Sequence, residues 1–451
     1  MHKFEVNGTK IVLDENSGAV HAVDDLAYEL LDDYGRVPPD VLLEKYGPRF
    51  GRREVMCAVR ELGELAEKGL LFSPDPLPDG YSPPKERPVK ALCLHLAHAC
   101  NLRCRYCFAG QGQYGGSDGL MPLEVGQAAL DFLVQKSGGR KKLEVDFFGG
   151  EPLLNASVMK KLVDYGRKTA ARHGKEISFT LTTNAVLLDE ETSRYLEENG
   201  LAVILSIDGR PGVHDAMRVK PDGGGSYAQV LPKITAAVKR QLASYYVRGT
   251  YTRNNLDFCS DFLHLVNLGF EHISLEPVTA PPSAPYALRK EDLPRLFAEY
   301  ERLAKEIALL WKKGRKVDFF HFNVDLEGGP CLLRRLTGCG AGVDYLAVTP
   351  SGDIYPCHQF AGRDEFWMGS VFTGALAEDL VETFRNIHVY SKEDCRNCWA
   401  RFYCGGGCHA AAYGASGSLL TPDPLACAIM KKRLECAIYL QAAVKEANGL
   451  E

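Results

Sequence analysis

No stretch of this chain approaches the roughly twenty consecutive apolar residues that a membrane-spanning helix requires. The opening Met1-His2-Lys3-Phe4-Glu5-Val6 lacks the uninterrupted apolar segment of a secretory signal, so a cytoplasmic location with no membrane partner is expected. There is no long basic run either, and a formal charge of −5 offers no global attraction for nucleic acid. Cysteine, by contrast, is plentiful, at 15 residues. In a reducing compartment these are poor candidates for disulfides and good ones for metal. At 451 residues the chain exceeds one ordinary core, and its 45% hydrophobic and 25% charged residues describe a globular protein of several domains.

The first eighty or so residues read as a small module. Strand-like runs over 4–6, 10–13 and 19–23 are divided by the turn formers Asn7-Gly8 and Asn16-Ser17-Gly18. Helical patterns follow over 24–33, 39–45 and 52–68, with Gly69 placed to stop the last, which gathers Val55, Val59, Leu62 and Leu65 on one face. This order predicts a winged-helix-like module over 1–75, followed by a proline-rich linker over 74–84. By itself such a module serves equally as a solubility cap or a dimerisation element.

Beyond the linker, strands over 92–97, 144–148, 177–182, 202–207, 245–252 and 272–276 alternate with helices over 122–135, 158–172, 190–198, 227–241 and 258–266. A repeating βα plan implies an α/β fold with a parallel sheet. Six such units curl into a partial (β/α)6 barrel over 88–285, with the active site at the C-terminal strand ends. A linker helix is expected over 286–330.

The chemistry-bearing motifs fall at those ends. Cys100-x3-Cys104-x2-Cys107 follows the first strand. Three thiolates, not four, suit an iron–sulfur cluster in which one iron stays open, although a zinc knuckle is the other reading. Gly149-Gly150-Glu151 follows the second strand, where paired glycines let the backbone approach a ligand closely. Thr183-Asn184, Ser206 to Asp208, and Leu275-Glu276-Pro277 close later strands, and Arg218 reads as either a carboxylate partner or a surface arginine. The last quarter holds Cys339, Cys357, Cys395-x2-Cys398-x5-Cys404-x3-Cys408 and Cys427, with Cys331 a further candidate. Two structural zinc sites would use such spacings as well. Cys57, Cys93, Cys259 and Cys436 sit in helical or strand patterns and read as core residues.

The first cysteine loop, with Tyr106 and the downstream Gly149-Gly150-Glu151-Pro152, resembles the cluster loop of the radical S-adenosylmethionine (SAM) superfamily, and the seven-cysteine array resembles its SPASM extension. The resemblance implies three [4Fe-4S] clusters and SAM, which one electron from a low-potential donor splits to a 5′-deoxyadenosyl radical. Cys100, Cys104 and Cys107 would hold the catalytic cluster. SAM contacts would come from Tyr106, Gly149, Gly150, Glu151 (to the ammonium), Thr183, Asn184, Ser206, Asp208 and Leu275, with Arg218 on the carboxylate. A SPASM domain over 331–451 would give one auxiliary cluster to Cys395, Cys398, Cys404 and Cys427. The other would take Cys339, Cys357 and Cys408, completed by Cys331 or by an outside thiol.

The N-terminal module is similar to the leader-recognition domain of ribosomal peptide maturases. The whole-chain order, with Cys331 to Gly340, most resembles the maturases of six-cysteine (SCIFF) peptides that install Cys-to-Thr thioether bridges. The implied partner is a cysteine-rich precursor peptide whose leader adds a strand near residues 19–23. Three other readings stay open: a sulfatase-maturating enzyme that makes formylglycine, a carbon–carbon peptide crosslinker, and a non-catalytic zinc-binding interaction protein.

Overall fold

The computed structural model describes residues 1–77, 80–116, 118–240, 242–326 and 332–447. Its first strands, β1 (His2–Val6), β2 (Thr9–Leu13) and β3 (Val20–Ala22), pair in that order as an antiparallel sheet. Asn7 and Gly8, at φ 50° and 84°, supply the left-handed turn that joins the first two. Helices α1 (Asp25–Leu30), α2 (Pro39–Phe50) and α3 (Arg52–Glu67) follow, with Asp24 capping α1 through Ala27 N.

The two faces of this sheet serve two cores, because side chains alternate along a strand. Val12 packs under the helices with Leu30, Leu42, Val55 and Leu62, whereas Phe4, Val6, Ile11 and Leu13 join the main core of the molecule. The module is therefore docked on the rest of the chain. The predicted linker is pinned too: Asp75 accepts from Tyr390 Oη at 2.6 Å and pairs with Arg401 at 3.2 Å, while Leu77 and Tyr81 pack against Leu336, Val389 and Phe402. The segment is a strap across the C-terminal region, where proline composition alone had suggested a spacer.

Six parallel strands form the sheet predicted from the βα pattern, neighbours in space in their chain order: β4 (Ala91–Ala97), β5 (Lys142–Gly149), β6 (Glu176–Thr183), β7 (Ala202–Ser206), β8 (Ser244–Tyr251) and β9 (His272–Pro277). The crossovers carry α4 (Leu123–Lys136), α5 (Ala156–Arg172), α6 (Glu190–Glu198), α7 (Pro211–Met217), α8 (Tyr227–Lys239) and α9 (Phe258–Asn267). All of β4 is buried, as in a strand covered on both faces, while β5 and β6 alternate and send Val145, Phe147, Phe179 and Leu181 into the core.

The sheet exceeds the expected six strands. After α10 (Leu293–Lys312), β10 (Asp318–Phe319) pairs parallel to β9. On the other side β11 (Tyr345–Val348) pairs parallel to β4, and β12 (Asp353–Tyr355) and β13 (Gly369–Ser370) continue antiparallel. These strands are two to four residues long, too short for any periodicity to register. Among the described residues no pairing joins β10 to β13, so the sheet stays open and the barrel partial.

The C-terminal region is mostly helical: α11 (Leu332–Thr337), α12 (Glu378–Arg385), α13 (Glu393–Arg396), α14 (Arg401–Cys404), α15 (His409–Ser416) and α16 (Pro424–Ala447). The last packs along α10 and reaches β1, where Glu435 Oε1 meets His2 Nε2 at 3.0 Å. The His2 ring stacks on Trp399 at 3.8 Å.

Candidate active site

A cavity of about 630 Å³ opens at the C-terminal ends of β4 to β9. It is lined by Cys100, Cys104 and Cys107 of the loop after β4 and by Cys404, Cys408 and Cys427 from the last quarter of the chain. A second hollow of about 740 Å³, between α4 and α5 near Asp131 and His173, contains no thiol.

The cysteine loop is fixed by its backbone. Arg103 N donates to Val219 O at 2.7 Å and Arg105 N to Met217 O at 2.9 Å, so the stretch after α7, a helix the sequence reading omitted, holds the loop. Tyr106 Oη donates to Asp208 Oδ2 at 2.5 Å, and Asp208 Oδ1 accepts from Arg218 Nε and Thr250 N, each at 3.0 Å. The Arg218 guanidinium lies 5.6 Å from the centre of the Tyr106 ring. Both oxygens of the buried Asp208 are thus engaged, and this residue braces the loop. Tyr106 and Arg218 do line the cavity.

Gly149 and Gly150 are glycines because of the chain's own backbone. A Cβ on Gly149 would lie 2.4 Å from Ala97 O, and one on Gly150 2.1 Å from Ala99 O. Gly150 N and Glu151 N donate to those two carbonyls at 2.8 and 2.9 Å, which seats β5 against the start of the cysteine loop. Gly150→Ala must push this loop away, and SAM-dependent cleavage should fall about tenfold, measured as 5′-deoxyadenosine against iron content.

Glu151 is the residue expected to meet the SAM ammonium. It is fully buried: Oε1 accepts from Thr183 Oγ1 at 2.7 Å and Leu153 N at 3.0 Å, and Oε2 accepts from Asn184 N at 2.8 Å. Burial pushes its carboxyl up to about 7, against the pull of these bonds. It stands behind the cavity wall and aims Thr183 and Asn184, which do line the cavity, as does Ser206. Asn184 Nδ2 reaches Asn101 Oδ1 at 2.8 Å and Cys100 Sγ at 3.7 Å. Leu275 is a core residue, and its neighbours Glu276 and Pro277 face the cavity instead.

The thiols fall into three groups. Cys104 and Cys107 stand near enough to Cys100 for charge on them to oppose its ionisation, and Cys398, Cys404 and Cys427 stand in the same relation to Cys395. In the third group the Cys408 and Cys339 thiols act on Cys357. Cys331 lies outside the described residues. Burial pushes the Cys100 thiol up to about 12 and the Cys104 thiol up to about 11, so ionised sulfur there requires a metal to hold it. Among the described residues no three His, Cys, Asp or Glu side chains gather closely enough to hold a single metal ion. A cluster whose ligands sit on different irons accepts the looser grouping. Cys93, Cys259 and Cys436 are buried in the cores of their elements, and Cys57 is half-buried on α3.

One polar cluster at the cavity was not foreseen. Arg433 of α16 and Arg248 of β8 approach the two oxygens of Glu276 at 3.4 and 3.5 Å, and His321 Nε2 meets Ser274 Oγ at 3.0 Å. Nothing local in the sequence of α16 pairs Arg433 with a residue more than 150 positions away.

A family described as a 4Fe-4S single cluster domain matches residues 90–232. The mycofactocin maturase MftC of Mycobacterium ulcerans is 28% identical over 74% of this chain and 87% of its own length. A cysteine-type anaerobic sulfatase-maturating enzyme of Clostridium novyi is 24% identical over 71% and 88%. The solved anSMEcpe with bound AdoMet has a TM-score of 0.64 at 21% identity, covering 79% of this chain and 99% of that one. These likenesses support a radical SAM maturase of the SPASM type. The chain also shares its fold with Streptococcus suis SuiB bound to precursor peptide SuiA, at a TM-score of 0.53 and 14% identity, over 92% of this chain and 96% of that one. Residues 76–451 alone cannot supply that coverage, so the likeness of fold extends into the N-terminal module.

Proposed function

We propose that this maturase joins cysteine sulfur to threonine carbon as thioether bridges within a cysteine-rich, ribosomally made peptide that carries a leader. The observation that supports the reading is one cavity of about 630 Å³ lined both by Cys100, Cys104 and Cys107 and by Cys404, Cys408 and Cys427. A hydrogen is removed at the first group and a sulfur is presented from the second, within one chamber.

Cys100, Cys104 and Cys107 would hold the first of three [4Fe-4S] clusters, Cys395, Cys398, Cys404 and Cys427 the second, and Cys339, Cys357 and Cys408 the third. Cys331 or a substrate thiol would complete the third. When bound, the first cluster with SAM supplies a 5′-deoxyadenosyl radical, given one electron from a low-potential donor. The chain's residues orient the participants. Thr183, Asn184, Ser206, Tyr106 and Arg218 line the place where SAM would lie, while Glu151 and Asp208 hold them from behind. Residues 1–75 would bind the leader on β3, 88–285 form the barrel, 286–330 connect, and 331–451 form the SPASM domain, all in the cytoplasm. No helix among the described residues is long and apolar enough to cross a membrane.

A second reading, formylglycine formation, is favoured by the likeness to sulfatase-maturating enzymes in sequence and fold. Mass spectrometry of a cysteine-rich peptide that carries a leader, treated with reconstituted enzyme and then iodoacetamide, separates the readings. Thioether formation removes two hydrogens per bridge and leaves those cysteines unalkylated. Carbon–carbon coupling removes two hydrogens with every thiol still alkylated, and formylglycine replaces sulfur by an aldehyde oxygen. Either of the latter products would reject the thioether proposal.

A further inference from the structure

Lys392 precedes α13 and is buried, with 1% of its surface exposed. Its Nζ donates to Gly406 O at 2.7 Å, and no carboxylate pairs with it among the described residues. Burial pulls its pKa down, because an ammonium taken out of water without a counter-ion is disfavoured, so negative charge placed here is what would keep it protonated. Gly406, which accepts from Nζ, stands two residues from both Cys404 and Cys408, and the groups whose negative charge would offset the burial of Nζ are the thiols of Cys395, Cys404, Cys408 and Cys427. Three of these belong to the four-thiol group and Cys408 to the neighbouring one, so the lysine stands where the two groups meet.

As free thiols these groups are neutral and give an ammonium little. Burial pushes Cys395 up to about 12 and Cys427 up to about 11, so they do not ionise unaided. Held on iron they are thiolates, and each assembly of four thiolates and a [4Fe-4S] core is a net anion. The backbone is shaped around the cation as well. Gly405, Gly406 and Gly407, with φ of 67°, 91° and 74°, form the turn between Cys404 and Cys408 and direct the Gly406 carbonyl at Nζ. A Cβ on Gly406 would stand 3.7 Å from Lys392 Cδ and Nζ, so the turn lies against the side chain along its length.

We propose that Lys392 is the fixed counter-charge of the auxiliary iron–sulfur groups, a positioning residue that raises the reduction potential of the nearer one. The inference rests on the cluster assignment made above. A cation at fixed distance in a low-dielectric interior favours the more negative, reduced state of its neighbour, and charge and hydrogen bonding near the sulfurs set cluster potentials.

The test uses the anaerobically reconstituted full chain, with iron analysis and an EPR-monitored redox titration of wild type, Lys392→Met and Lys392→Arg. If wild type binds only the iron of the first cluster, the cluster assignment fails and this inference fails with it. With all clusters present in wild type, Lys392→Met should move the potential of one auxiliary cluster to a more negative value and leave the cluster at Cys100, Cys104 and Cys107 unchanged. Lys392→Arg should titrate close to wild type. Loss of one auxiliary cluster in the methionine variant but not in the arginine variant supports the same role, with the charge needed for assembly. Unchanged potentials in a fully loaded Lys392→Met protein overturn the inference, as does loss of the cluster in both variants, which would show that shape rather than charge is required.

Discussion

Cys104→Ala should abolish reductive cleavage of SAM, with 5′-deoxyadenosine falling below about one thousandth of the wild-type yield. The loop on either side of Cys104 is held by Arg103 N to Val219 O and Arg105 N to Met217 O, bonds made by backbone atoms that the substitution does not alter. Tyr106 stays tied to Asp208, and Asp208 to Arg218. Alanine therefore removes one sulfur from a preserved cavity wall. Two remaining thiols cannot keep a cluster with one open iron, and without it no electron reaches SAM. The measurement is 5′-deoxyadenosine under dithionite together with iron per chain, which should drop by about four atoms. Continued cleavage by the alanine variant would refute the assignment of this loop as the radical-generating site.

The barrel was legible because its strands and helices carry strong signals. β5 and β6 alternate cleanly, β4 is apolar throughout, and left-handed glycines such as Gly174, Gly200 and Gly269 follow α5, α6 and α9. The cysteine groups were legible because several spacings coincide. Other features depend on where side chains point after folding. Glu151 and Asp208 stand at strand ends as polar residues with a ligand do, yet both satisfy their oxygens within the protein, on backbone N–H groups and on the side chains of Thr183, Tyr106 and Arg218. The choice between facing a ligand and bracing the residue that faces it leaves no trace in composition. Lys392 is a similar case, since in sequence it is one more lysine in a polar stretch, and only burial among thiols sets it apart. The docking of the N-terminal module was missed for a different reason. Phe4, Val6, Ile11 and Leu13 were read as strand formers, but a three-stranded sheet has a second face, and this one is covered by the main core.

That docking determines how leader recognition should be tested. Removing residues 1–75 would uncover the core surface beneath Phe4, Val6, Ile11 and Leu13 and lose the bond between His2 and Glu435 and the one that Arg401 donates to Asn16 Oδ1. A loss of activity would then report on stability as much as on binding. A point change on the outer edge of β3 avoids this. In the β2–β3 ladder Val23 N donates to Lys10 O at 3.0 Å and Asp14 N to Ala19 O at 2.9 Å. Hydrogen-bonded pairs alternate along an antiparallel ladder, so the inward bonds fall on Ala19, His21 and Val23, and the N–H groups of Val20 and Ala22 face outward. Among the described residues no strand occupies that side. Ala22→Pro therefore removes a donor available to an incoming strand, and no ladder bond is lost, as proline on an edge strand permits. Affinity for the leader should fall about tenfold to a hundredfold, from the lost bond together with obstruction by the ring. Peptide crosslinking should fall with it while SAM cleavage without peptide stays at the wild-type rate, because the chamber behind Cys100 is untouched. Fluorescence anisotropy with a labelled leader gives the first quantity and 5′-deoxyadenosine the second. Unchanged leader affinity in a folded Ala22→Pro protein would move leader recognition away from this edge.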